Sequence, residues 1–290
     1  TATAADESKS VNATVSTAGG ADTVTIHAGV VNVDTGAGND TVVIEDASDL
    51  TVSDTVAGGD GTDTLKMVSA EAGDFDGLAA TVLAKVTGFE KVLISDVYDT
   101  VYDATVYGAN YIVLADDVDG ANIDLTVADN ATIEFTDAAG GDTDELDLIV
   151  KNAAAAGQND NTVNFVFNVA DLVTANVTYK VEVDDVENLN ISAVTTDTDT
   201  TTKDYIYDGS ANGGVTTVVI TGTEDVQYTA STANQTIDAT GSGNYTIVGA
   251  AGAMTINTGA GNDDVTAAGA DVVNTGAGND TLTSDGTNAA

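Results

Sequence analysis

The chain has no cysteine, no proline, no tryptophan and no arginine, and its basic groups are seven lysines and a single histidine. Each absence excludes something. Without cysteine there is neither a disulfide framework nor a thiolate to act as nucleophile or metal ligand. Proline lacks the N–H that a strand ladder needs, so its absence suits long uninterrupted ladders. Lys9, Lys66, Lys85, Lys91, Lys151, Lys180 and Lys203 face 47 acidic residues, for a formal charge of −40. A surface of that sign repels nucleic acid and anionic membranes. No basic patch or nucleic-acid motif is present. No run of eighteen apolar residues occurs, so membrane insertion through a helix is not expected. The chain opens Thr1-Ala2-Thr3 without a signal-peptide pattern, which reads as a piece of something longer.

Catalytic apparatus is equally scarce. His27 is the lone histidine. Neither a His-Glu-x-x-His zinc motif nor a Gly-x-Ser-x-Gly elbow is present. Carboxylate pairs for glycoside chemistry exist in any chain this acidic. Acidic-sugar lyases, however, need basic groups that are missing here. No enzyme is expected, and His27 reads as a solvated turn residue.

What is present points to folded β structure. Strong acidity often means disorder, but 42% of residues are hydrophobic, and Val, Ile and Leu recur at strand spacing. Thr, Val and Ile favour strands, while Gly, Asn and Asp favour turns.

A seven-residue phrase organises the chain. It reads Asp34-Thr-Gly36-Ala-Gly38-Asn-Asp40, then Asn257-Thr-Gly259-Ala-Gly261-Asn-Asp263, then Asn274-Thr-Gly276-Ala-Gly278-Asn-Asp280. A related phrase is Gly58-Gly59-Asp60-Gly61-Thr62-Asp63-Thr64-Leu65, and a weaker one ends at Asp22. Asp22 and Asp40 lie 18 residues apart, and Asp263 and Asp280 lie 17 apart. If strand, turn, strand, turn makes one coil, each pair occupies neighbouring rungs about 4.8 Å apart. Two carboxylates then face one ion. Calcium takes hard oxygen ligands in a flexible geometry. Glycines turn the loop backbone at positive φ and aim carbonyls inward. The candidate metal residues are therefore Asp22, Gly36, Gly38, Asp40, Gly58, Gly59, Asp60, Gly61, Asp63, Gly259, Gly261, Asp263, Gly276, Gly278 and Asp280, and the ion is Ca2+. The plain alternative is that such clusters are only turns. The apolar residue two places after each Asp (Val24, Val42, Leu65, Val265, Leu282) should point inward.

The segment 1–12 reads as a tail or connector, 13–66 as an N-terminal roll, 67–250 as a less regular β region, and 251–290 as a C-terminal roll. Leu78–Lys85 is the one convincing short helix, with a further strand as its alternative. A second repeat carries Glu90, Glu187 and Glu224, each in a tight turn before an alternating strand. Its glutamate either caps backbone donors or ligates metal. Ile123–Val127 and Val177–Val183 are clear alternating strands. Thr132–Thr136, Leu146–Val150, Val163–Val169, Val215–Ile220 and Tyr245–Val248 also qualify. Lys151–Asn161 reads as a long turn and Gly269–Val273 as a degenerate half-turn. The middle region is either solenoid or sandwich. Tyrosines such as Tyr98, Tyr102, Tyr107 and Tyr111 fill a core or a subunit contact.

The stretch Gly58 to Lys66 resembles the nonapeptide Gly-Gly-x-Gly-x-Asp-x-U-x of the RTX proteins, U being a large apolar residue. Together with Val86-Thr-Gly-Phe-Glu90-Lys-Val, it resembles the RTX-type surface-layer proteins of Gram-negative bacteria. That resemblance implies an all-β fold, a parallel β-roll or β-solenoid with calcium in its turns. It also implies type I secretion and assembly into an extracellular coat on the cell surface. The partners implied are further copies of the chain and cell-surface polysaccharide. A repeat segment of a large secreted RTX adhesin is the alternative, because the nonapeptide is shared among many secreted proteins.

Overall fold

A computed structural model describes residues 2–3, 13–119, 121–136, 145–151, 160–169, 177–179, 181–194, 204–208, 214–230 and 234–284. Most of the segment 1–12 lies outside these, as do residues 152–159 of the turn expected before Asn161. The chain divides into two compact units, Thr1–Ala115 and Asp116–Ala290.

Both units are built from all-parallel sheets of regularly spaced strands, the arrangement of a parallel β-solenoid. In the first unit, one sheet stacks Ala2–Thr3, Thr23–Ile26, Thr41–Ile44, Thr64–Met67, Lys91–Ile94 and Tyr111–Leu114 in that order. A second sheet stacks Ala13–Ser16, Val31–Asp34, Thr55–Ala57 and Val86–Thr87. The chain alternates between the two, so each coil adds one strand to each sheet. Inward residues align from rung to rung: Val24 on Val42, Val42 on Leu65, Leu65 on Val92. All four are fully buried. Their neighbours along the strand are half-exposed, the period of two that a one-sided sheet requires.

The second unit repeats the plan. One sheet runs Ala131–Phe135, Thr162–Asn168, Asn188–Val194, Thr217–Gly222, Thr236–Ala239, Thr255–Thr258 and Val272–Asn274. Where the sequence leaves solenoid and sandwich both open, the strand pairings of the middle region are parallel. Aromatic residues stack up its core, with Phe167 on Tyr205 at 5.4 Å and Tyr207 on Tyr228 at 5.9 Å between centroids. Tyr98 and Tyr102 are core residues of the first unit.

Three sequence expectations are corrected here. Val177–Val183 is not one strand. Val177–Tyr179 pairs with Asp204–Asp208, whereas Val181–Asp184 pairs with Glu145–Val150. The alternation in the sequence runs on unbroken across this change of sheet. The helix at Leu78–Lys85 shrinks to Ala80–Leu83 and is preceded by a longer one at Ser69–Asp76. That longer helix has no apolar stripe in its sequence; it is held by burial of Ala72 and Phe75. Leu282 does not point into a closed core and is 54% exposed. Its strand, Thr281–Ser284, pairs on one side only among the described residues.

Leu65 and Leu282 hold equivalent places in the repeat but differ in burial, which separates position from packing. Leu65→Ala should cost about 2–5 kcal/mol in urea unfolding. Leu282→Ala should stay within about 0.5 kcal/mol. Equal losses would show that the inward column is not what holds the roll.

Candidate metal centre

The turn phrase is a stacking code, and each residue type in it meets the turn one rung away. Its threonine donates upward: the Thr35 hydroxyl to the Gly58 carbonyl at 2.6 Å, and the Thr258 hydroxyl to the Thr275 carbonyl at 2.8 Å. Its asparagine accepts from the next turn: Asn39 Oδ1 from the Thr62 N–H at 3.1 Å, and Asn262 Oδ1 from the Asn279 N–H at 2.9 Å. The turn backbones also bond directly, as Gly38 N–H to the Asp60 carbonyl and Asp60 N–H to the Gly36 carbonyl, at 2.9 and 2.8 Å.

The glycines follow from that contact. Gly38 has φ +140° and Gly61 φ +151°, in the left-handed region. A Cβ on Gly38 would collide with the Gly20 carbonyl, and one on Gly61 with the Gly38 carbonyl. Gly36, Gly59, Gly276 and Gly278 share the positive φ. Gly58, Gly259 and Gly261 do not, yet the turn stacked on each leaves no room for a side chain.

Aspartate points the other way along the stack. Asp40 Oδ1 accepts the Asp22 N–H at 2.7 Å, Asp63 Oδ1 accepts the Asp40 N–H at 2.8 Å, and Glu90 Oε2 accepts the Asp63 N–H at 2.7 Å. In the second unit Asp263 Oδ1 accepts the Tyr245 N–H at 2.8 Å, and Asp280 Oδ1 accepts the Asp263 N–H at 3.1 Å. The interval between rungs grows from 18 to 23 to 27 residues along the first column. The added residues go to the opposite edge of the coil, into Ala47–Asp49 and the helices at Ser69–Asp76 and Ala80–Leu83. The acidic edge keeps its register.

One oxygen of each aspartate is thus accounted for by the fold. The other is not. Asp40 Oδ2, Asp63 Oδ2 and Asp263 Oδ2 are buried without a hydrogen-bond partner, and the residues are 1%, 0% and 1% exposed. An unpaired buried polar group costs roughly 1–3 kcal/mol, and more when charged. The comparison with aspartates on the opposite edge is direct. Asp54 is equally buried, but its Oδ1 accepts from Val31 N–H and its Oδ2 from Thr51 N–H, at 2.7 and 2.6 Å. Asp271, in the degenerate half-turn, also uses both oxygens, at 2.9 Å each. This scaffold satisfies both oxygens of a turn aspartate where it needs only a turn.

Asp22 and Asp280 are partly exposed, and Asp60 is exposed and joins the ladder through its backbone. Among the described residues, no three Asp, Glu or His side chains converge on one point. A cation here would be held by carboxylates of neighbouring rungs and by turn carbonyls. That donor set is all hard oxygen, which fits calcium and does not fit zinc or copper.

Glu90 and Glu187 cap backbone donors as the sequence suggests, Glu187 taking the Asn161 N–H at 2.9 Å. Glu224 is bonded by the neighbouring Thr223 hydroxyl at 2.9 Å. His27 is not a solvated turn residue. It is 13% exposed, with Nδ1 3.0 Å from Glu45 Oε2 of the next rung. Sequence reasoning missed that Thr240-Gly241-Ser-Gly243-Asn244-Tyr245 is a further copy of the phrase. Its Thr-Gly-x-Gly-Asn spelling 18 residues before Asp263 was the available signal.

Comparison with protein-family models, with curated proteins and with solved structures returns no match.

The electrostatics give a signed prediction for the metal-free protein. Burial pushes the Asp63 carboxyl above its ordinary value; the Asp40 N–H opposes this, and the charges of Asp40, Glu90 and Asp60 add to it. Asp49 and Asp76 are also raised, each first by burial and with neighbouring carboxylates adding. A raised carboxyl binds protons more tightly in the folded state, so its contribution is full below the ordinary value near 3.8 and is lost as pH rises through the raised one. In chelator, the melting temperature should climb as pH falls from neutrality towards the ordinary carboxylate value. A fall over that range would contradict the strained column.

Proposed function

We propose that this chain is a calcium-binding structural protein of a bacterial cell surface, a secreted subunit that assembles into a surface layer through calcium-stabilised turns. The observation that carries the calcium reading is the set of buried, unpartnered oxygens on Asp40, Asp63 and Asp263. They stand in columns whose members sit one rung apart and carry like charge. Two unit charges about 4.8 Å apart repel by roughly 3–4 kcal/mol at an effective dielectric of about 20. A divalent cation between rungs removes that repulsion and supplies the missing partner together. Turn carbonyls retain a second lone pair for it.

Support for assembly is the terminal rung. Val272–Asn274 and Thr281–Ser284 each pair on one side only among the described residues. Val272 is 67% exposed and Leu282 54%. A parallel strand edge with exposed apolar side chains beside it is a surface that meets more protein, either further residues of a longer chain or another subunit. Acidic subunits repel within about a Debye length, roughly 8 Å at physiological salt, so the joining step itself calls for a multivalent cation.

Calcium should raise the melting temperature by an amount that grows with the number of sites, each giving about 2.7 kcal/mol at a hundredfold excess over its dissociation constant. Asp40→Asn and Asp63→Asn keep an oxygen for the rung below but lose the charge. Each should lower the calcium-induced gain without lowering stability in chelator, where loss of the buried charge acts as protonation does. Asp54→Asn should leave the calcium gain intact. If all three variants respond to calcium like the parent chain, the aspartates are turn residues only.

Assembly is tested by light scattering against calcium, with sodium chloride at matched ionic strength as control. Growth of large particles in calcium alone is the expected result. Particles that stay monomeric while calcium still stabilises the fold would favour the adhesin-segment reading instead.

A further inference from the structure

Tyr245 occupies an aspartate position. The register aligns Thr246 with Asp264 and Asp264 with Thr281, which sets Tyr245, Asp263 and Asp280 in one column. The hydrogen bonds agree: Tyr245 N–H donates to Asp263 Oδ1 as Asp263 N–H donates to Asp280 Oδ1. The turn before it, Thr240-Gly-Ser-Gly-Asn244, spells the phrase, and its Asn244 Oδ1 accepts the Asn262 N–H at 2.7 Å. The side chain alone departs. Tyr245 is 0% exposed, and its ring lies back along the turn, with the hydroxyl where a side chain on Gly241 would be. That hydroxyl makes no hydrogen bond of ordinary geometry. Burial pushes the phenol up, the Gly243 and Gly241 peptides oppose this, and the Asp263 and Asp225 carboxylates add to it, so it stays neutral.

We propose that Tyr245 is a plug that ends the cation column of the second unit, filling the interior of its own turn so that Asp263 shares a cation with Asp280 and none with the rung before. An aspartate at this place would complete a further site between the 240–245 and 258–263 turns. Three things follow from the chemistry. A phenol brings bulk at a position that an aspartate holds in the turns stacked after it, it brings no charge for a cation, and it gives the Asp263 carboxylate an uncharged neighbour. The adjoining rung supports this. Asp225, below Asn244, has both oxygens bonded by the Asn244 amide and N–H, at 2.6–3.1 Å, so neither is left without a partner as the second oxygen of Asp263 is.

This inference rests on the calcium reading, and the test separates the two. Calcium binding to the full chain is counted by calorimetric titration for the parent chain, Tyr245→Asp and Tyr245→Asn. Tyr245→Asp should bind one more equivalent than the parent, and Tyr245→Asn, which opens the same space without charge, should bind no more. Because loss of a buried ring could unfold the chain in chelator, melting is followed with and without calcium. The calcium-induced rise should be larger in Tyr245→Asp than in either other protein. If the parent binds calcium but Tyr245→Asp gains neither an equivalent nor a larger rise, the plug is wrong and the calcium reading stands. If the parent binds no calcium at all, both fall.

Discussion

The acidic edge depends on one contact, a backbone N–H donated to the carboxylate one rung further on. Asp22 to Asp40, Asp40 to Asp63 and Asp63 to Glu90 are successive links of one chain of such bonds. The contact does two things. It closes the donor that each turn would otherwise leave unpaired at the start of a strand. It also stacks like charges, because the acceptors Asp40, Asp63 and Glu90 are acids on successive rungs. Threonine and asparagine ladders hold the same turns together without charge. The acidic ladder is therefore the part of the fold that leaves buried oxygens without a hydrogen-bond partner.

The two edges of the coil divide this labour. On the opposite edge of the first unit, connections lengthen freely, from a short 3-10 turn to the helices at Ser69–Asp76 and Ala80–Leu83. There an aspartate such as Asp54 is a self-contained bracket, with both oxygens bonded inside the protein. On the acidic edge, the turns that end at Asp22, Asp40 and Asp63 each hold six residues between strands, the Glu90 turn holds three, and glycines at close approach forbid a side chain.

Much of this was legible in the sequence. An 18-residue interval between Asp22 and Asp40 correctly placed them on neighbouring rungs, and alternation correctly put Val24, Val42, Leu65 and Val265 inside. The capping role of Glu90 and Glu187 was readable from turn chemistry. Other features were hidden for identifiable reasons. Period-two alternation carries no record of which sheet a strand joins, so the break between Tyr179 and Val181 was invisible. The helix at Ser69–Asp76 has no periodic stripe, since its form is imposed by the burial of Phe75 and Ala72. Leu282 repeats the pattern of Leu65, but burial is set by the next rung and not by the residue. The split between bonded and unbonded aspartate oxygens is also beyond sequence: the repeated phrase marks Asp40 and Asp263 as metal candidates, but only the three-dimensional partners show that one oxygen of each is unbonded while Asp54 and Asp271 use both.

The central claim is that the buried second oxygens of Asp40, Asp63 and Asp263 face a cation. The most direct measurement is a crystal structure grown in calcium, with anomalous scattering used to place the ions. The account predicts calcium peaks about 2.3–2.6 Å from those three oxygens, between stacked turns. Calcium found only at exposed carboxylates, with these oxygens left bonded to water or to a proton of their own, would contradict it.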